Sequence, residues 1–142
     1  MENYNKRESG FTLLHVLLLE SNFQRVNEVK FDEEVKTNVV INTSVNVSEP
    51  NVHVVVEAIV KQHHQEIEQV SVQVKMLGTF EKMGDSPISD LEVFGNVNGA
   101  AIIFPFVREQ IASMTLNAGI PPILLPPFNF ARAYQERKEK EV

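Results

Sequence analysis

The sequence predicts an α+β domain: a four-stranded antiparallel sheet covered by a long proline-kinked helix, with a short C-terminal helix after it. Three observations predict it. Residues 36–76 hold three runs in which apolar and polar side chains alternate, the period of a strand with one wet face. Residues 91–117 change to helical spacing. Past that helix lies an apolar stretch carrying four prolines within residues 121–127, which neither a regular helix nor a central strand accommodates.

The first element is the run Phe11–Phe23. Its leucines suit either periodicity, and we read it as a strand with both faces partly apolar. In Lys36–Ser48, Val39, Ile41, Thr43, Val45 and Val47 alternate with Asn38, Asn42, Ser44 and Asn46. Glu49-Pro50-Asn51 marks a turn. Val52–Lys61 places Val52, Val54, Val56, Ala58 and Val60 on one face. Lys61–Glu66 is expected to be a polar turn holding His63 and His64. Val70, Val72, Val74 and Met76 then alternate with Gln69, Ser71, Gln73 and Lys75.

A loop over Met83–Asp90 leads to a helix over Leu91–Asn117, interrupted at Pro105. Beyond Pro105, Val107, Ile111 and Met114 share a face. Gly119 suits a left-handed helix end, and Pro121-Pro122 forbids continuation. Ile120–Phe130 is too apolar for water and is expected to lie extended on other apolar surface. Asn129 is placed to cap a helix over Ala131–Glu139, with Arg132–Glu136 and Glu136–Lys140 at i,i+4 spacing. The 142 residues form one domain, 1–142, with 1–10 and 139–142 expected to fray.

Composition excludes several classes of function. Net charge is −6, concentrated in residues 31–100, and no basic stripe exists to follow a phosphate backbone; nucleic acid is not an expected partner. There is no cysteine, hence no disulfide, thiol nucleophile or thiolate metal site. The apolar run Leu13–Leu19 is too short to span a bilayer and lacks a signal-peptide cleavage pattern, so neither membrane insertion nor export of the chain itself is expected. A cytoplasmic location follows as the expectation.

Chemistry-bearing motifs are missing. His15, His53, His63 and His64 have no partner at metal-ligand spacing, and no metal or cofactor is expected. Glu66 and Glu68, two apart on a strand, share a face and read as solvated charges. Nothing assembles a nucleophile, a base and an oxyanion site, so we expect no enzyme. The chain has instead a surplus of apolar surface: Phe104, Phe106, Phe128 and Phe130 flank two proline-bearing segments. An apolar arm lying between sheet and helix would leave grooves able to accept extended peptides.

Residues 103–134 carry a recognisable text: Ile-Phe-Pro-Phe-Val-Arg-Glu-Gln-Ile-Ala-Ser-Met, then Asn-Ala-Gly-Ile-Pro-Pro-Ile-Leu-Leu-Pro-Pro-Phe-Asn-Phe. It resembles the signature of the SecB export chaperones. The matching positions are Phe104, Pro105, Arg108, Glu109, Ile111, Ser113, Met114, Gly119, Pro121, Leu125, Pro127, Asn129 and Phe130, with Val107 where the family often has Ala. Upstream, the likeness is an order of elements, four strands before the helix.

The resemblance implies an α+β protomer, pairing into a dimer of dimers through the long helix. It implies long apolar grooves that hold unfolded polypeptide clients without ATP or cofactor. Candidate groove residues are Val40, Leu77 and Phe80, on strand positions outside the expected core, and Leu124 and Phe128 on the arm. Candidate oligomer contacts are Phe104, Phe106, Val107, Ile111 and Met114. The resemblance also implies docking of the translocase motor SecA on acids of the outer sheet face, with Glu20, Glu66 and Glu68 as candidates. Gln24 and Gln73 stand where further acids are expected, and Arg137-Lys138-Glu139-Lys140-Glu141 replaces an acidic tail. Two alternatives accompany the export reading: a SecB-like chaperone for another client such as an antitoxin, without SecA, and a small-ligand-binding or enzymatic α+β domain.

Overall fold

The computed structural model describes residues 10–84 and 90–141. Residues 1–9 of the expected frayed start (1–10), residues 85–89 of the expected loop (Met83–Asp90) and Val142 lie outside them. Four strands come first: β1 (Phe11–Arg25), β2 (Val35–Ser48), β3 (Asn51–His64) and β4 (Ile67–Lys82). They form one antiparallel sheet in the order β1-β4-β3-β2, leaving β1 and β2 as edges.

The β3–β4 hairpin is longer than the sequence suggests. His63 and His64 were expected in its turn, yet both lie in β3, and His64 faces Ile67 across the ladder. The turn is therefore two residues, Gln65 and Glu66, with φ of 52° and 70°. Both are left-handed, as the twist-matched two-residue hairpin turn requires. Glu66 thus sits on the turn rather than sharing a strand face with Glu68.

The alternating pattern builds the core. Val52, Val54, Val56, Ala58 and Val60 of β3, with Val70, Val72 and Val74 of β4, point to one face and are buried. Helices cover that face: α1 (Leu91–Phe94), a π-helical stretch Gly95–Gly99, and α2 (Ala100–Asn117). Asp90 caps α1 by accepting from the Val93 amide. Pro105 lies inside α2 on its exposed side. α3 (Phe130–Lys140) starts at the Asn129 cap, whose side chain accepts from the Arg132 amide. It runs through residues 139 and 140, which were expected to fray. Arg132 and Glu136 pair at 3.2 Å, and Arg137 ties α3 to the π-helical stretch through Asn96 at 2.8 Å.

α2 packs on β3 and β4 through Ala100, Ile103, Phe104, Val107, Ile111 and Thr115. Phe104, Val107 and Ile111, expected at an interface between protomers, are instead 4%, 0% and 0% exposed within the protomer's own core. Their spacing fits the face turned to the sheet, and the opposite face exposes Ile102, Phe106 and Leu116. Phe80, expected in a client groove, is also a core residue: its ring meets Phe94 edge-on at 5.3 Å. Its position on β4 has the parity of the valines, so it points inward.

Close approach of α2 depends on Gly78. A Cβ there would lie 2.1 Å from Ile103 Cδ1. We predict that Gly78→Ala destabilises the fold by about 1–3 kcal/mol, the usual overpacking range. Ile103→Ala made in that background should cost less than in the parent chain, because the two side chains compete for one space. Denaturant melts of the four proteins check this; additive effects would show that α2 has room to shift.

Candidate functional site

Past α2 the chain turns at Gly119, with φ of 76° in the left-handed region. It then runs extended back along the helix and the sheet. The buried hydroxyl of Thr115 holds this arm. It donates to the Ile111 and Ala112 carbonyls and accepts from the Ile123 amide at 2.9 Å. Arg25, at the end of β1, donates to the Ala118 carbonyl at 2.6 Å. So pinned, the arm alternates: Ile123 and Leu125 are buried, and Leu124 between them is 77% exposed.

Two open depressions of about 420 Å³ each flank the arm. One is lined by Phe31, Thr37, Val39, Gln62 and the arm residues Pro121–Pro126. The other is lined by the arm and the outer turns of α2 at Pro105, Arg108, Glu109 and Ala112. Leu124 and Leu125 border both. Phe31, Val39 and Leu124 are all exposed. The result is an apolar trough bounded on one side by the inner face of β2, which α2 does not cover.

Among the candidate groove residues, the structure places Leu124 in this trough. Phe128 lies beside it in a cluster of rings, 4.7 Å from Phe130 and 6.3 Å from Phe104 between centroids, and is 38% exposed. Val40 and Leu77 point to the other side of the sheet. Val40 pairs with Ile59 and Leu77 with Val55, all of the outer parity. Val39, one residue away, is the β2 valine that lines the trough. Sequence reasoning missed Val39 and Phe31. The parity of Val39 was visible, but helix cover over the whole inner face was assumed; Phe31 is the one aromatic in the connection between β1 and β2, a signal that went unused.

The outer face carries a hydrogen-bonded line across all four strands. Asn22 of β1 donates to Gln73 of β4, Gln73 donates to Glu57 of β3 at 2.7 Å, and Asn42 of β2 donates to Glu57 at 3.0 Å. Those two amide donors hold the Glu57 carboxyl below its usual range. Glu57 is an outer-face acid that the sequence reading passed over. Glu20 pairs with Lys75 at 3.7 Å, and Glu68 with Lys61 at 3.5 Å. Glu20 faces Lys75 and Glu68 faces His63 in the ladders, seven residues apart along β4. At about 3.3 Å per residue that is roughly 23 Å. Glu20, Glu66 and Glu68 are not brought into one patch.

A strand-walled trough, a proline arm crossing it and a helix behind it are the features to compare with known proteins. The family model described as preprotein translocase subunit SecB matches residues 9–141. The chain belongs to the SecB family. The protein-export protein SecB of Nitrosomonas europaea is 34% identical over 112 residues, 77% of this chain and 69% of that one. An uncharacterized protein of Methanocaldococcus jannaschii is 36% identical over 111 residues, 75% of this chain and 71% of its own length. Among solved structures, a SecB-like chaperone of Mycobacterium tuberculosis, in complex with a peptide from an antitoxin, has the same fold. Its TM-score is 0.72 at 14% identity, covering 84% of this chain and 91% of the other. Among the described residues no helix is long and apolar enough to cross a membrane.

The Thr115 tie gives a test of how the SecB arm is held. Thr115→Val keeps the shape and leaves the buried Ile123 amide without its acceptor, at a cost of about 1–3 kcal/mol. We predict faster hydrogen exchange at Ile123 and its neighbours, with α2 protected as before and Thr115→Ser close to the parent. Unchanged exchange at Ile123 would show that the arm is held by its apolar contacts alone.

Proposed function

We propose that this SecB-family chain is an ATP-independent chaperone that holds unfolded polypeptides competent for Sec-dependent export. The observation that carries this reading is the trough beside the arm, with Leu124 77% exposed between two buried neighbours. A side chain of that kind, left in water by a pinned backbone, gains by covering itself with apolar segments of any sequence. An unfolded client offers such segments, and a folded one does not. Nothing in this binding calls for nucleotide or bond chemistry, in keeping with a holdase rather than an enzyme acting in the cytoplasm.

Assembly into a homo-oligomer belongs to the same reading. β1 is an edge strand whose Leu13, Leu14, Leu17, Leu18 and Leu19 are 37–51% exposed. Its register shifts between Leu13 and His15 and between Leu18 and Glu20. The extra residues are Leu14 and Leu19, and Leu17 and Leu18 between them point to opposite sides, so leucines appear on both faces. A long, leucine-rich edge is a liability unless another chain pairs with it. With Ile102, Phe106 and Leu116 on the exposed side of α2, this supports paired protomers.

A dedicated chaperone for an antitoxin-type client is the second reading. The Mycobacterium tuberculosis structure, solved with an antitoxin peptide, favours it. So does the outer face, where Glu20 and Glu68 have cationic partners and Gln73 stands in the hydrogen-bonded line. Docking of SecA there should be weak and weakened further by salt, because the charges are exposed.

Native mass measurement with and without an unfolded, non-exported model polypeptide should find oligomers that each take up client. Phe31→Ser combined with Leu124→Ser should weaken holding several-fold, read as faster client refolding, and leave the melting curve close to the parent. A stable monomer at micromolar concentration would contradict the assembly. Undiminished holding by the folded double variant would place the client elsewhere.

A further inference from the structure

Asp32 and Glu34, in the connection between β1 and β2, meet His64 at the end of β3. His64 Nε2 lies 3.0 Å from each of the two Asp32 oxygens. One donor atom from each of Asp32, Glu34 and His64 falls within 4.8 Å of the others. We propose that these three side chains form a binding site for one divalent first-row transition-metal cation.

The local backbone makes the arrangement. The Glu34 amide donates to Asp32 Oδ1 at 2.9 Å and the Val35 amide to the Asp32 carbonyl at 3.2 Å, closing a turn that sets both acids beside β3. The His64 side chain is 13% exposed, so its ring is held by its surroundings, whereas Asp32 is open to water. Gln65 Nε2 donates to Glu34 Oε2 at 2.6 Å and so helps to orient that carboxylate, the kind of support that metal ligands commonly have.

A hydrogen bond between His64 and Asp32 would account for two of the groups and not for the third. Glu34 brings a second carboxylate to the same place, and like charges so close repel. Among the described residues, no lysine or arginine pairs with Asp32 or Glu34. Glu33, Glu34 and Glu66 gather with one lysine, Lys36, around the adjoining open cavity. A divalent cation relieves this excess of negative charge. One imidazole nitrogen with two carboxylates suits Zn²⁺, Co²⁺ or Mn²⁺ better than the all-oxygen preferences of Mg²⁺ and Ca²⁺. Water completes the shell on the exposed side. Spacing along the chain hides the set, because Asp32 and His64 are 32 residues apart.

The test uses the full chain, without a polyhistidine tag, titrated with ZnCl₂ by calorimetry. The expected result is one site per chain and a raised melting temperature on loading, since metal bound to the folded state stabilises it. His64→Gln and Asp32→Asn should each weaken binding by at least about tenfold, while His63→Ala leaves it unchanged. As a readout that needs no variant, the imidazole nitrogens followed by NMR should show Zn²⁺ shifting His64 and sparing His15, His53 and His63. Absence of binding below millimolar Zn²⁺ would overturn the site. So would several equivalent weak sites, binding that survives His64→Gln, or a shift at His63 in place of His64.

Discussion

The contact that the rest of the fold depends on is the one between Ile103 of α2 and the bare backbone of β4 at Gly78. A sheet built from β-branched residues presents a raised surface, and a helix normally stands off from it by the depth of two side chains. Here Gly78 removes one of those side chains, and Gly95 and Gly99 thin the helical layer facing Val45, Val52, Val54 and Phe80. The helix settles low enough to bury Ile103, Val107 and Ile111 completely. It thereby covers β3 and β4 and leaves the outer part of β2 uncovered.

The trough is the consequence of that incomplete cover. The arm is too apolar to remain in water, and its prolines prevent it from joining the sheet as a strand. It lies where helix cover runs out, held by Thr115 from the helix side and by Arg25 at its root. Ile123 and Leu125 complete the protomer's core, and strand-like alternation forces Leu124 to the opposite side. The same alternation that closes the core therefore generates the exposed surface. Burying Leu124 would require the arm to flip and expose its neighbours, so the apolar surface is a stable property of the fold.

How much of this was legible in the sequence varied by element. The strands, the cap at Asn129 and the left-handed glycine at 119 were legible because each rests on a local rule: period two, an amide acceptor, a missing Cβ. The split of β1 by two irregularities was not, since its leucines satisfy several registers and the pairing with β4 decides among them. Phe80 looked available because it was taken as a strand position the core did not need; it has the parity of the buried valines, and its ring turns inward. Val40 was chosen, and Val39 is the residue that lines the trough, a one-residue matter that moves a side chain from one face to the other. The meeting of Asp32, Glu34 and His64 depends on β3 running three residues past Lys61, further than its polar sequence suggested.

An unfolded chain is expected in the trough on the helix side of the sheet and not on the outer face. Methyl NMR of the valine, leucine and isoleucine side chains, recorded while an unfolded polypeptide is added, tests it directly, because both faces carry reporters. Binding in the trough should give the largest changes at Val39 and Leu124, with Val40, Val55, Ile59 and Leu77 close to their free positions. Changes concentrated on Val40, Ile59 and Leu77, with Leu124 unmoved, would contradict it and place the client on the outer face.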